Sequence, residues 1–126
     1  MYKKIMIGIV LLALLTTLLT ACSIHANTGP TGPAVHMANT NFLQPSINIS
    51  KGASLTLIND VATQHIITNG TWVDSTAKPA KEPGAPTVNA NFTGNDNASI
   101  GPFSTAGTYH LYCTIHPGMN LKVIVQ

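Results

Sequence analysis

The chain has 126 residues and a formal net charge of +2, and only 8% of its residues are charged, so it has room for one ordinary domain and not two. All six basic residues are lysines, and a chain this poor in cations offers no footprint for a phosphate backbone, so nucleic acid is not an expected partner. Lys3 and Lys4 stand at the N-terminus, while Lys51, Lys78, Lys81 and Lys122 balance Asp60, Asp74, Glu82 and Asp96, so any docking surface is expected to be neutral or apolar.

Lys3 and Lys4 precede an apolar run from Ile5 to Leu19 that is interrupted only by Gly8, Thr16 and Thr17. A short positive region followed by such a run has the form of a secretory signal, and it is too short to span a bilayer comfortably. The run closes on Leu19-Thr20-Ala21-Cys22, which resembles the bacterial lipobox, whose cysteine is acylated after cleavage before it. Residues 1–21 are therefore expected to be a lipoprotein signal peptide. A lipidated Cys22 would then hold the exported chain at the extracytoplasmic face of a bacterial membrane. An ordinary cleaved signal or an uncleaved anchor, with Cys22 incidental, is the alternative. Acylation would also deny Cys113 its only disulfide partner, leaving one thiol where disulfides are permitted.

Residues 22–40 are small and polar, with Gly29-Pro30 and Gly32-Pro33 as breakers, and are expected to form a flexible tether. His25, His36 and Met37 fall there and read as solvated rather than as part of a site. The folded domain is expected over 41–126. Its β-branched runs predict strands at Ile47 to Ser50, Ser54 to Asn59, His65 to Asn69, Thr87 to Phe92, Ala98 to Phe103, Gly107 to Cys113 and Asn120 to Val125. Several short strands with one apolar face suggest a sandwich. Thr76 to Pro86, rich in proline and charge, reads as an exposed excursion, and Trp72 as core packing.

In the strand ending at Cys113, Tyr109, Leu111 and Cys113 share one face by period two, and His110 and Tyr112 share the other. Cys113, His116 and Met119 then follow at three-residue intervals, with Pro117 and Gly118 making a bend between the last two. Thiolate, imidazole and thioether suit copper in both oxidation states, the thioether acting as a weak axial ligand; zinc would normally take a stronger fourth donor. A second histidine must come from elsewhere. His65, at the start of a predicted strand, is the favoured candidate; His110 faces away from Cys113, and the tether histidines fit less well.

The segment from Ala106 to Met119, read as Ala-Gly-Thr-Tyr-His-Leu-Tyr-Cys-Thr-Ile-His-Pro-Gly-Met and followed by a β-branched last strand, resembles the plastocyanin, pseudoazurin and amicyanin group of cupredoxins. The two-residue step between His116 and Met119 is similar to amicyanin. The resemblance implies an all-β, Greek-key β-sandwich of about seven to eight strands holding one type 1 copper through His65, Cys113, His116 and Met119. It also implies that His116 is the solvent-edge ligand within a docking patch of Ile115, Pro117 and Gly118, and that Tyr112 lies on a second electron route. Ile66 departs from the pattern, standing where many members carry a hydrogen-bonding Asn that pins the two ligand loops. Thr114 is a candidate to supply that outer contact instead.

The function so implied is electron transfer between redox partner proteins, by a monomeric chain that is not an enzyme. No His-x-His pair and no second domain is present to build the further copper sites of an oxidase or reductase. The rival reading is an exported copper-binding protein that sequesters or delivers the metal, to which Met119 and the tether's His25, His36 and Met37 would contribute.

Overall fold

The computed structural model describes residues 32–126; the proposed signal, Cys22 and His25 lie outside them. Nine strands form among the described residues: β1 Ala34–Met37, β2 Ser46–Ile49, β3 Leu55–Asn59, β4 His65–Val73, β5 Thr76–Pro79, β6 Asn89–Phe92, β7 Asp96–Ile100, β8 Gly107–Cys113 and β9 Asn120–Val125. They make a three-stranded sheet in the order β1-β3-β7 and a second sheet in the order β2-β9-β8-β4-β5, with β6 also paired to β4. The all-β expectation holds.

The sheets face each other because their strands alternate. Val35 and Met37 from β1, Leu55 and Leu57 from β3 and Ile100 from β7 meet Ile67, Phe92, Tyr109, Leu111, Leu121, Val123 and Val125 from the other sheet in a single core. Burying each Leu or Val side chain contributes about 1.5–3 kcal/mol. The Tyr109 hydroxyl stays satisfied in this core by donating to the Thr105 carbonyl at 2.7 Å. Phe42, Phe103 and Met119 fill the ends of the sandwich.

Four boundaries differ from the sequence reading. Residues 34–37 are not tether: β1 pairs parallel with β3, with Val35 and Met37 fully buried and His36 turned out to Asp60, Nδ1 to Oδ2 2.8 Å. The tether expectation for 34–40 is corrected accordingly, because the alternation of Val35, His36 and Met37 outweighs the Gly-Pro breakers before it. β7 stops at Ile100, since Pro102 has no N–H to extend a ladder. Residues 86–88 are held by side chains instead of a ladder: Asn69 donates to the Pro86 carbonyl at 3.1 Å and accepts from Val88 N–H at 2.8 Å.

The fourth difference is the β4–β5 hairpin. Thr76 to Pro79 is a strand and not an excursion, paired to β4 from Gly70↔Pro79 to Val73↔Thr76. Asp74 and Ser75 make the two-residue turn with φ of 46° and 62°, the left-handed values a type I′ turn needs. Ser75 is an unusual choice there. Ser75→Gly is expected to stabilise the domain by about 0.5–1 kcal/mol, the left-handed strain relieved outweighing glycine's extra chain entropy, as read from the urea midpoint. A destabilised variant would refute that balance.

Candidate metal centre

His65 opens β4 and is fully buried. Ile67 pairs directly with Cys113 across β4 and β8, so His65, two residues earlier on the same face, projects toward the Cys113 end of the sandwich. β8 ends at Cys113, and residues 114–119 turn back into β9. Two hydrogen bonds shape that turn: Cys113 N–H to the Met119 carbonyl at 3.0 Å and Met119 N–H to the His116 carbonyl at 3.2 Å. Gly118 takes a φ of +82° in open space, which glycine adopts without strain.

The result is a convergent donor set. The ligand atoms of His65, Cys113 and His116 all lie within 4.8 Å of one another. Cys113 Sγ stands 3.8 Å from His65 Nδ1 and 3.4 Å from His116 Nδ1, and the two imidazole centroids are 4.8 Å apart. Nitrogen and sulfur bonded to one ion at about 2.1 and 2.3 Å, with tetrahedral to trigonal angles, stand about 3.6–3.8 Å apart. The 3.8 Å separation falls in that range and the 3.4 Å one lies just below it, close enough for an ion shared between them with small adjustment. Met119, nearly fully buried, closes the same end of the core. Together His65, Cys113, His116 and Met119 form a candidate copper site.

The surroundings keep the donors available. Burial, and next the neighbouring His116, push His65 below the ordinary histidine value, against a smaller opposing effect of the Ala38 backbone. A neutral imidazole with a free lone pair is what a metal ligand requires. His65 Nε2 is buried with no partner of hydrogen-bonding geometry, although the Ala38 backbone lies close enough to favour a ring proton. Cys113 is fully buried and free.

His110 is outside the cluster, as parity requires: its Nδ1 meets Glu82 Oε1 at 2.6 Å, and its N–H donates to the same oxygen at 3.1 Å. Thr114 does not act as anticipated. Among the described residues its hydroxyl makes no hydrogen bond, and the link between the ligand loops is Thr114 N–H to the Ile66 carbonyl at 2.9 Å. That bond uses backbone alone, so neither the missing Asn at Ile66 nor the threonine side chain decides it. Ile115, Pro117 and Gly118 are exposed around a half-buried His116.

Tyr112 points away from Cys113, as period two requires, but it is only 3% exposed, because the arm of β4 that carries Trp72 packs over it. Beyond Gly70 the β4 backbone crosses over β8, so that Trp72 N–H reaches the Asn120 side chain on β9 at 2.7 Å. Trp72 packs edge-on against Tyr112, centroids 5.8 Å apart. Its indole N–H donates to the Cys113 carbonyl at 2.8 Å. Trp72 therefore touches the ligand strand and is not core packing. The sequence signal that could have found it is the hairpin, which a Asp-Ser turn hides.

No family model matches the sequence, and no curated protein matches it. Solved structures do. Amicyanin from Paracoccus versutus (Thiobacillus versutus) aligns over 80% of this chain and 87% of its own at 24% identity, with a TM-score of 0.61. The fold is that of a cupredoxin, in the amicyanin form. The same cupredoxin fold is shared with a proline-to-glycine variant of amicyanin in its reduced Cu(I) form at pH 4, at 24% identity over 80% of this chain and 88% of that one, TM-score 0.60. An oxidised methionine-to-leucine variant gives 24% identity, the same coverage and a TM-score of 0.59.

Proposed function

We propose that this chain is an exported electron carrier that holds one type 1 copper through His65, Cys113, His116 and Met119. The observation that carries the reading is the buried thiol of Cys113 set 3.4 and 3.8 Å from two imidazole nitrogens. Bound there, copper would supply a one-electron Cu(I)/Cu(II) couple. The chain's own contribution is rigidity: strands β4 and β8 fix His65 and Cys113, and the hydrogen-bonded turn fixes His116 and Met119. Three of the four donors are buried, which keeps water from competing for the site. Only His116 reaches the surface, beside Ile115, which is 43% exposed.

Redox partner proteins, a donor and an acceptor, would dock on this neutral patch of Ile115, Pro117 and Gly118 around His116. Acylated Cys22 would hold the domain at the extracytoplasmic face of a bacterial membrane. The sequestration reading loses support from two of its residues, since Met37 is buried in the core and His36 is engaged by Asp60.

The test is direct. Copper(II) added to the metal-free domain is expected to give an intense blue, thiolate-dependent absorption that cycles reversibly with reductant, and Cys113→Ser is expected to abolish the colour. A colourless protein that binds only Cu(I) and resists oxidation would favour a carrier over an electron-transfer protein.

A further inference from the structure

The loop that carries His116 and Met119 is only as well placed as its two ends. At one end the Cys113 carbonyl accepts the Trp72 indole N–H at 2.8 Å. At the other, Asn120 follows Met119 directly, and its side-chain amide embraces the Trp72 backbone, accepting N–H at 2.7 Å and donating to the carbonyl at 3.1 Å. That amide imitates the donor and acceptor of a neighbouring strand. One residue on the β4–β5 hairpin therefore grips both the residue that opens the ligand loop and the residue that closes it.

We propose that Trp72 is a positioning residue of the metal centre, buckling the ends of loop 114–119 together from the outer face of β8 with Asn120 as its counterpart. The proposal rests on the copper reading above for what the loop holds, and on hydrogen bonds and packing for how. The start of the loop has a second link in the plane of the sheet, Thr114 N–H to the Ile66 carbonyl on β4. Tyr112 packs edge-on against Trp72, centroids 5.8 Å apart, and supports the indole over the strand. A loop ordered before the metal arrives loses less freedom on binding, so the affinity gained is preorganisation.

Trp72 is the chain's single tryptophan, and Trp72→Phe deletes the indole N–H while keeping a ring against Tyr112. Asn120→Ala deletes the backbone clamp and leaves the indole bond. Each is expected to raise the Cu(I) dissociation constant, measured by competition with a chromophoric chelator, by about 10–100-fold, the range for residues that orient metal ligands. Each is also expected to shift the blue band and the reduction potential. In the metal-free protein, amide hydrogen exchange at Thr114 to Met119 is expected to quicken by a similar factor. The double variant is expected to lose less than the product of the two single losses, because the residues act on one loop.

Folded Trp72→Phe and Asn120→Ala proteins with parental affinity, potential and exchange would overturn the proposal. Should Trp72→Phe fail to fold, Asn120→Ala decides by the same readouts. A parent chain that binds no copper would instead overturn the copper reading, and the exchange comparison would still show whether the clamp orders the loop.

Discussion

Replacing His65 with leucine is expected to abolish high-affinity copper binding while leaving the metal-free domain at least as stable as the parent. His65 is one of two imidazoles in the cluster, and loss of a residue that merely orients a ligand already costs about 10–100-fold in affinity. Removing the ligand itself is expected to cost more than about 100-fold. Without metal, however, the imidazole is a burden on the fold. It is fully buried, its Nε2 has no partner of hydrogen-bonding geometry beyond the nearby Ala38 backbone, and leaving a buried polar group poorly paired costs about 1–3 kcal/mol. Leucine fills a similar volume with no polar atom. The check is a pair of measurements: chelator competition for affinity, and urea unfolding of the metal-free protein for stability. A variant that retains affinity would remove His65 from the site. One that is destabilised by more than about 2 kcal/mol would make its role structural.

Gly70→Ala is expected to be the most disruptive small substitution, costing about 3 kcal/mol or more. Gly70 has a φ of +132°, a region nearly closed to residues with a Cβ and worth about 1–3 kcal/mol of strain. The new methyl would also strike the Lys78 carbonyl and lie 2.9 Å from Pro79 Cα and 2.8 Å from the Tyr112 ring. Two of these three obstacles are backbone and cannot swing aside. Relief requires β5 to pull away from β4 at the Gly70↔Pro79 pair and the Tyr112 ring to give way as well, which disturbs the arm that carries Trp72. Urea unfolding is expected to show the loss, and tryptophan fluorescence to shift toward that of exposed indole. Parental stability would mean that the hairpin is free to move at Gly70 without cost.

Much of this was legible from residue order. Period two placed Tyr109, Leu111 and Cys113 inward, and the three-residue steps from Cys113 to His116 and Met119 marked the loop. His65 followed because strand parity excluded His110. What stayed hidden has physical reasons. Asn69-Gly70 resembles a hairpin turn, yet the strand runs through it and the reversal falls at Asp74-Ser75, so the hairpin went unread. Parity gave Tyr112's direction correctly but could not show that an arm of β4 would cross over it. Thr114 was assigned a side-chain role that its backbone N–H performs. The contacts of Trp72 join residues 41 and 48 positions apart, and no local pattern encodes pairs that distant.

The direction in which β1 runs has a bearing on how an anchored domain would stand. β1 enters level with Thr56, whose N–H meets the Pro33 carbonyl at 2.9 Å, and it leaves at Met37-Ala38, where the Ala38 backbone borders His65. The chain thus comes in at the pole opposite the donors. On the proposed acylation of Cys22, the stretch from Ser23 to Pro33 could span at most about 40 Å, and it would join the domain at that pole. His116 and Ile115 would then face outward, toward partners arriving from the aqueous side. A partner embedded in the same membrane would require the domain to turn over.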